Sequence, residues 1–117
     1  NRIYVTDNDQ LFVDSIIKNF TNNEVTNGKV LKEEFSEGLK NEGPYDLIII
    51  DCPQYNFKLD LLSQVNVGGR IIYIEKINEE LSKAYKMIKY EDNFSKVFLF
   101  DVFSNFYLTK QEEGFNF

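Results

Sequence analysis

Residues 45–76, YDLIIIDCPQYNFKLDLLSQVNVGGRIIYIEK, contain two continuously apolar runs, at residues 47–50 and 71–74. Such runs are typical of parallel strands that helices cover on both faces. Gly68 and Gly69 precede the second run and predict the end of a helix at a left-handed cap. We therefore predict a strand–helix–strand unit. Four apolar residues at helical spacing mark its helix: Phe57, Leu61, Leu62 and Val65.

Charged residues follow both predicted strands. Asp51 comes directly after the first strand, and Glu75 and Lys76 come directly after the second. A right-handed crossover brings the carboxyl ends of two parallel strands to the same edge of a sheet. The sequence therefore predicts that these side chains share a crevice with Asp7, which ends an earlier strand, and that the chemistry takes place there.

Composition limits the classes of function. With 117 residues, 43% of them hydrophobic, the chain has apolar material for one core, and we predict a single domain over residues 1–117. The net charge of −6 argues against a nucleic-acid partner, because phosphate binding depends on clustered Lys and Arg. Cys52 is the single cysteine and there is no His, which excludes an intramolecular disulfide, a Cys/His zinc site and a His-based triad. No metal site is predicted.

No apolar run approaches the roughly 18 residues that span a bilayer, and residues 1–5 lack the layout of a secretion signal. The sequence therefore predicts a soluble, cytoplasmic protein with no membrane partner. Asn1 stands just before a strand, without a Met, so we expect the chain to be part of a longer polypeptide.

The first third of the chain is predicted to begin with a strand at residues 3–5 and an amphipathic helix. A brief strand near Val25 follows the helix. A short helix with a wetted, charged face then covers residues 29–42, and Gly43 and Pro44 end it. The apolar stripe of the first helix consists of Phe12, Val13, Ile16, Ile17 and Phe20.

After Lys76, apolar residues at helical spacing up to Ile88 predict another helix, with Asn78 as its N-cap. Strands at residues 97–103, 106–108 and 115–117 would close the sheet as an antiparallel edge. The sequence thus predicts a three-layer α/β fold, mostly parallel, with an antiparallel C-terminal edge. Five aromatic residues of this edge are predicted to be core, with a partner interface as the alternative: Phe98, Phe100, Phe103, Phe106 and Tyr107.

Asp7 and Asp51 are the candidate site residues. An acid at the end of a parallel strand commonly accepts hydrogen bonds from the ribose hydroxyls of a nucleoside cofactor, and Asp7 fits that position. The alternative is that Asp7 or Asp9 caps the following helix, and the two roles are compatible. Asp51 follows an apolar strand, where it would orient an amine nucleophile and accept its proton, or would simply be solvated. Cys52 is interpreted as a small buried residue rather than a nucleophile.

Glu75 and Lys76 lie where a crevice mouth is expected. A charge pair at a strand end is more often a solvated ion pair that contributes little to stability. We therefore interpret the pair as solvated.

Four stretches together resemble the later part of the class I S-adenosylmethionine-dependent methyltransferases, a Rossmann-like superfamily. IYVTD, ending in Asp7, resembles the second strand, whose acid holds the cofactor ribose. YDLIIID, ending in Asp51, resembles the fourth strand, and VGGRIIYIE resembles the fifth. SKVFLFDVF resembles a strand of the closing antiparallel pair.

Within this superfamily the chain is most similar to spermidine synthases, which move an aminopropyl group from decarboxylated S-adenosylmethionine to an amine. Their fourth strand has the form YDxIIxD, and its last Asp helps to activate the amine. Asp51 matches that Asp. The resemblance implies Asp51 as catalytic residue, Asp7 and Thr6 as cofactor-binding residues, and a small-molecule amine as substrate. The cofactor would be S-adenosylmethionine or its decarboxylated form.

Two other branches of the superfamily remain alternatives. Protein-isoaspartate methyltransferases share the Gly-Gly strand and an aromatic late strand, although Asp51-Cys52-Pro53 does not match their fourth strand. Amino-group methyltransferases carry DPPY, from which Cys52 and Gln54 depart. The family's first strand and glycine-rich cofactor turn do not occur in residues 1–30. The chain is therefore expected to be the C-terminal part of a longer enzyme, or a relative that no longer binds the cofactor.

Two alternatives come from other classes of protein. In a phospho-receiver domain, Asp7, Asp51 and Lys110 would imitate the acid pair, phospho-acceptor and lysine, but Glu75 stands where Ser or Thr is expected and Gln111 where Pro is expected. In a non-catalytic interaction domain, the aromatic C-terminal strands would form the surface for a second copy or for a partner subunit.

Overall fold

The computed structural model describes residues 2–7, 9–32, 43–55, 57 and 59–103. Contacts between residues group the chain into two compact units, Asn1–Lys40 and Asn41–Phe117. The single domain that the sequence predicts over residues 1–117 stays a prediction.

The first unit is a strand–helix–strand arrangement. Strand β1, Ile3–Asp7, is followed by helix α1, Gln10–Asn22, and by strand β2, Gly28–Lys32. β1 and β2 are parallel, with Ile3 opposite Gly28 at one end and Asp7 opposite Lys32 at the other. The strand and the amphipathic helix predicted here are confirmed.

The prediction of a strand near Val25 is wrong, because that residue belongs to the turn that ends the helix. Glu24 has a left-handed backbone (φ 56°), and the Val25 amide donates to the Phe20 carbonyl at 2.9 Å. The strand begins three residues later, at Gly28, where a side chain would collide with the ring of Phe20. Leu31 lies in this strand rather than in the predicted helix, most of which lies outside the described residues.

Helix α1 buries only part of its predicted apolar stripe. Val13 is buried, whereas Ile16 and Phe20 are half-buried and Phe12 and Ile17 are exposed. No helix in the described parts of the chain is long and apolar enough to cross a membrane.

The second unit contains a four-stranded sheet and a short 3₁₀ helix. Strand β3, Tyr45–Gln54, leads to the 3₁₀ helix Leu59–Gln64 and to strand β4, Val65–Lys76. Strands β5, Ser82–Lys89, and β6, Phe94–Val102, complete the order β3-β4-β5-β6. β3 and β4 are parallel, and β4, β5 and β6 pair antiparallel. The α/β class and the antiparallel edge are confirmed. The strand–helix–strand order is confirmed too, but its helix is a short 3₁₀ helix, and Val65, predicted to be helical, begins β4.

The helix predicted to follow Lys76 is wrong. Asn78 does cap a turn, because its Oδ1 accepts from the amides of Glu80 at 2.9 Å and Leu81 at 2.8 Å, but a strand follows instead of a helix. β5 pairs along its length with the apolar β4, which satisfies backbone groups that a helix would have paired internally. Tertiary pairing therefore overrides the helical spacing of this segment. The strands predicted at residues 106–108 and 115–117 lie outside the described residues.

The Gly68-Gly69 pair lies inside β4 and does not end the helix. Its surroundings are irregular, because Tyr45 lies opposite Val65 while Leu47 lies opposite Arg70. Gly68 has a φ of +85°, which favours glycine. At Gly69 a Cβ would lie 2.8 Å from the Asn66 carbonyl oxygen and 3.0 Å from that of Asp46. The two glycines are therefore required by the bulge that starts β4.

The hydrophobic core of the second unit lies on one face of its sheet, where Tyr73 is 1% exposed. The Tyr73 ring stacks on Phe57, with centroids 4.0 Å apart, and on Tyr85, at 5.6 Å. Burial, followed by the charge of Glu75 and by Tyr85, raises the pKa of the Tyr73 hydroxyl. The fully buried residues of this core are Leu61, Val65, Ile71, Tyr73 and Met87.

β3 does not have the two covered faces that the sequence predicts. Ile48 and Ile50 pack against the core, whereas Leu47 and Ile49, which point to the other face, are exposed. Leu61, together with Phe57 and Leu62, packs in one cluster with Ile48 and Ile50.

Alanine substitutions at the two glycines should have different costs. We expect Gly68→Ala to lower the free energy of unfolding by about 1 kcal/mol, because it strains a left-handed backbone that has open space around it. Gly69→Ala should cost about 2 kcal/mol or more, since backbone atoms must move. Urea unfolding measures both values. A smaller loss for Gly69→Ala than for Gly68→Ala would contradict this account of the bulge.

Tyr73 should make the protein sensitive to alkali. Unfolded Tyr73 loses its proton above a pKa of about 10, whereas the folded protein retains it, so unfolding releases a proton and stability falls as pH rises. Between about pH 9 and about pH 11, wild type should lose up to about 1.4 kcal/mol per pH unit more than Tyr73→Phe. Urea unfolding at each pH measures this difference. Tyr90→Phe, at an exposed position, is the control and should follow wild type.

Candidate functional site

Asp7 lies at the carboxyl end of β1, where the sequence predicts a cofactor ribose site. It is half-buried and lies opposite Lys32 of β2. Its Oδ1 accepts a hydrogen bond from the Asp9 amide at 2.9 Å, which orients the carboxylate. Its other oxygen has no partner in the described parts of the chain. The free oxygen retains its capacity to accept hydrogen bonds from a diol.

Asp9, rather than Asp7, caps helix α1. The Asp9 side chain accepts from the Leu11 amide at 2.9 Å, as an N-cap residue does. The capping alternative is therefore confirmed for Asp9, and Asp7 is not needed for it. Thr6 precedes Asp7 in the same strand, and successive side chains of a strand point to opposite faces. β1 therefore does not bring Thr6 and Asp7 to one face.

Asp51 lies within β3 instead of directly after it, because the strand continues to Gln54. Pro53 is tolerated there since β3 is at the edge of its sheet. Ile49 pairs with Ile72 and Pro53 with Ile74, so Asp51 belongs to a bulge opposite Tyr73. A bulge re-aims side chains and is common beside active sites.

The two residues Asp51 and Cys52 of this bulge differ in exposure. Asp51 is exposed, which agrees with the solvated alternative for its carboxylate. Cys52 is half-buried and not buried as predicted. Asp51 is exposed like Leu47 and Ile49, four and two residues earlier in β3, because alternate residues of a strand share a face, whereas Pro53 and Gln54 at the end of the strand are buried.

Gln54 is a polar residue that the sequence analysis missed. It is 2% exposed and lies opposite Glu75, and its amide Nε2 has no acceptor among the residues that the structure describes. A buried donor without an acceptor costs about 1–3 kcal/mol. The one sequence signal for Gln54 is its position directly after Pro53, at the end of a strand.

Glu75 and Lys76 do not form the solvated pair that the sequence predicts. The Glu75 carboxylate lies 3.9 Å from Lys96 Nζ of β6, whereas Lys76 is buried and its Nζ donates to the Glu79 carbonyl at 3.0 Å. Because neighbouring residues of a strand point to opposite faces, the two charges separate. Lys76 thus stabilises the turn between β4 and β5.

The arrangement of strands is shared with solved methyltransferases. A putative protein-L-isoaspartate O-methyltransferase from Plasmodium falciparum, in complex with S-adenosyl-L-homocysteine, is similar with a TM-score of 0.75 and 18% identity over 94% of this chain. A second protein-L-isoaspartate O-methyltransferase is similar with a TM-score of 0.78 and 14% identity, also over 94%. The chain has a Rossmann-like methyltransferase fold. It spans 53% of the first protein and 34% of the second.

The likeness concerns the fold alone, and both similar structures are isoaspartate methyltransferases rather than spermidine synthases. No protein-family model matches the chain. No curated protein matches it either.

The methyltransferase fold disagrees with the phospho-receiver alternative. A receiver is a doubly wound sheet of parallel strands, whereas β4, β5 and β6 are antiparallel neighbours. Within the described ranges, no group of three or more His, Cys, Asp or Glu residues is placed to hold a metal ion. Lys110 lies outside those ranges.

Proposed function

We propose that this chain is part of an S-adenosylmethionine-dependent methyltransferase that acts on a protein carboxyl group, with an isoaspartyl residue as the substrate class. The supporting observation is the strand arrangement, parallel from β3 to β4 and antiparallel from β4 to β6, within a likeness to two isoaspartate methyltransferases that extends over 94% of the chain.

Asp7 fits the cofactor. One carboxylate oxygen is held by the Asp9 amide, and the other can accept from ribose hydroxyls. When bound, S-adenosylmethionine supplies a methyl group activated by a sulfonium. The role of Asp7 is to bind and orient the nucleoside, and a glycine-rich turn would have to come from outside residues 1–30. That Asp7 and Asp51 share one crevice stays a prediction.

A carboxyl acceptor has little need of a base. A carboxylate is already ionised at neutral pH, whereas an amine must lose a proton before it attacks. Asp51 is exposed on its bulge, and a carboxylate acceptor has no proton for it to remove. Methyl transfer to a carboxylate would therefore proceed without Asp51 as a base.

Aminopropyl transfer, the principal prediction from sequence, is the second candidate. The observation that favours it is the exposed Asp51 carboxylate near the carboxyl end of β3, which an incoming ammonium group could reach. In this reaction Asp51 would orient the amine and accept its proton.

Cofactor binding should depend on Asp7. We expect Asp7→Asn in the full-length protein to weaken binding of S-adenosylmethionine and S-adenosylhomocysteine by about tenfold or more, because charge-assisted hydrogen bonds are lost. Asp9→Asn is the matched control. It makes the same charge change and keeps an N-cap, so its affinity should stay within about twofold of wild type. Isothermal titration calorimetry measures both, and equal losses would remove Asp7 from the site.

Asp51→Asn distinguishes the two reactions. We expect the variant to keep methyl transfer to an isoaspartyl peptide within about threefold of wild type, because no base is required. Aminopropyl transfer to putrescine should be absent from wild type. Radiolabelled transfer assays with S-adenosylmethionine and with its decarboxylated form measure the two rates. Aminopropyl product that falls by about 100-fold or more in Asp51→Asn would establish the second candidate instead.

A further inference from the structure

Strand β6 is the outer strand of the second unit's sheet. It runs for nine residues, Phe94–Val102, and within the described residues it pairs with β5 alone. Its apolar side chains are not the core residues that the sequence predicts, because Phe98 is 50% and Phe100 is 58% exposed. Phe103, directly after the strand, is 78% exposed. A long apolar edge with unpaired backbone groups is a template for another strand.

The register of β6 on β5 shows which residues share a face. Lys96 lies opposite Met87 and Phe98 opposite Tyr85, while Asp101 lies opposite Lys83. A register shift between Ala84 and Tyr85 makes Leu99 an extra residue in β6. Counting across this bulge, Lys96, Phe98 and Asp101 belong to one face. The other face carries Val97, Phe100 and Val102.

We propose that β6 pairs antiparallel with β6 of a second copy of this chain, with Lys96 opposite Asp101 of the second copy. The same register places Val97 opposite Phe100, and Phe98 opposite Leu99 at the twofold axis. Lys96 and Asp101 then meet on one face and Val97 and Phe100 on the other, because the bulge at Leu99 lies at the centre. Two Lys–Asp pairs flank an apolar middle, as a self-complementary interface requires.

Charge complementarity favours this occupant. Within one chain, Glu75, Lys83 and Asp101 are successive neighbours across β4, β5 and β6. Lys96 Nζ lies 3.9 Å from the Glu75 carboxylate of its own chain, and in the proposed register it would also lie next to Asp101 of the second copy. The chain's own cation–π contacts lie on the same face, with Lys96 Nζ 4.1 Å from the centroid of the Tyr85 ring and Lys83 Nζ 5.2 Å from that of Phe98.

Neighbouring registers are less favourable. A shift of one residue places Lys96 opposite Phe100, which lies on the other face. A shift of two residues places Lys96 opposite Phe103 and Asp101 opposite Phe98, so both charges lose their partners. Register in a sheet is selected by matching faces and by cross-strand pairs, and both criteria select the Lys96–Asp101 register.

Charge reversal in two separate variants tests the proposal. In Lys96→Glu, two acids would oppose each other at both ends of the interface, and in Asp101→Lys two lysines would do so. We expect each variant alone to raise the dimer dissociation constant about tenfold or more. When the two variants are mixed, both charge pairs become attractive again, and the mixed dimer should form within about threefold of the wild-type constant.

Sedimentation velocity on the full-length protein, with one variant carrying a fluorescent label, measures the association constants of wild type, of each variant alone and of the mixture. Lys18→Glu on the exposed surface of α1 is the control for charge change, and its association should equal that of wild type. A wild-type monomer at every concentration, or charge variants that mix no better than they self-associate, would overturn the proposal. The first result would mean that another segment or another protein covers β6. Whether the dimer forms is independent of the proposed methyl transfer.

Discussion

The stacking of the Tyr73 ring between Phe57 and Tyr85 is the contact on which the second unit depends. Tyr73 lies on the central strand β4, so its ring contacts the segment that follows β3 on one side and β5 on the other. Burying an aromatic side chain removes a large apolar area from water, and the offset stack adds a smaller directional term. The parallel and antiparallel halves of the sheet thus share one core.

The irregular pairing of β3 and β4 is where the fold departs from an ideal sheet. In one bulge Asp46 lies opposite the Gly68-Gly69 segment, and in the other Asp51 lies opposite Tyr73. The first needs glycine for steric reasons, whereas the second turns an acid out to solvent next to a buried aromatic ring. Asp51 is therefore exposed for contact with a ligand, whereas Pro53 and Gln54 at the carboxyl end of β3 are buried.

Parts of the fold and of the candidate site were predictable from nearby residues. Asp9 caps α1 because its carboxylate accepts a hydrogen bond from the Leu11 amide, two positions later. This signal needs no other part of the chain. The apolar runs of β3 and β4 were equally recognisable. The bulge that contains Asp51 was not, since apolar neighbours in sequence do not reveal one. The helix expected after Asn78 failed because its apolar spacing also suits a strand beside β4.

Short-range chemistry was therefore enough to establish the order of most elements, the α/β class and the acid that ends β1, because capping, turns and hydrophobic periodicity act over a few residues. Pairing between distant segments decided the rest. It made β5 a strand, enclosed Gly69 within β4, buried Lys76 apart from Glu75 and left the aromatic residues of β6 exposed. These outcomes depend on which strand edges meet, and hydrogen bonds between remote strands leave no periodic signal in either strand alone.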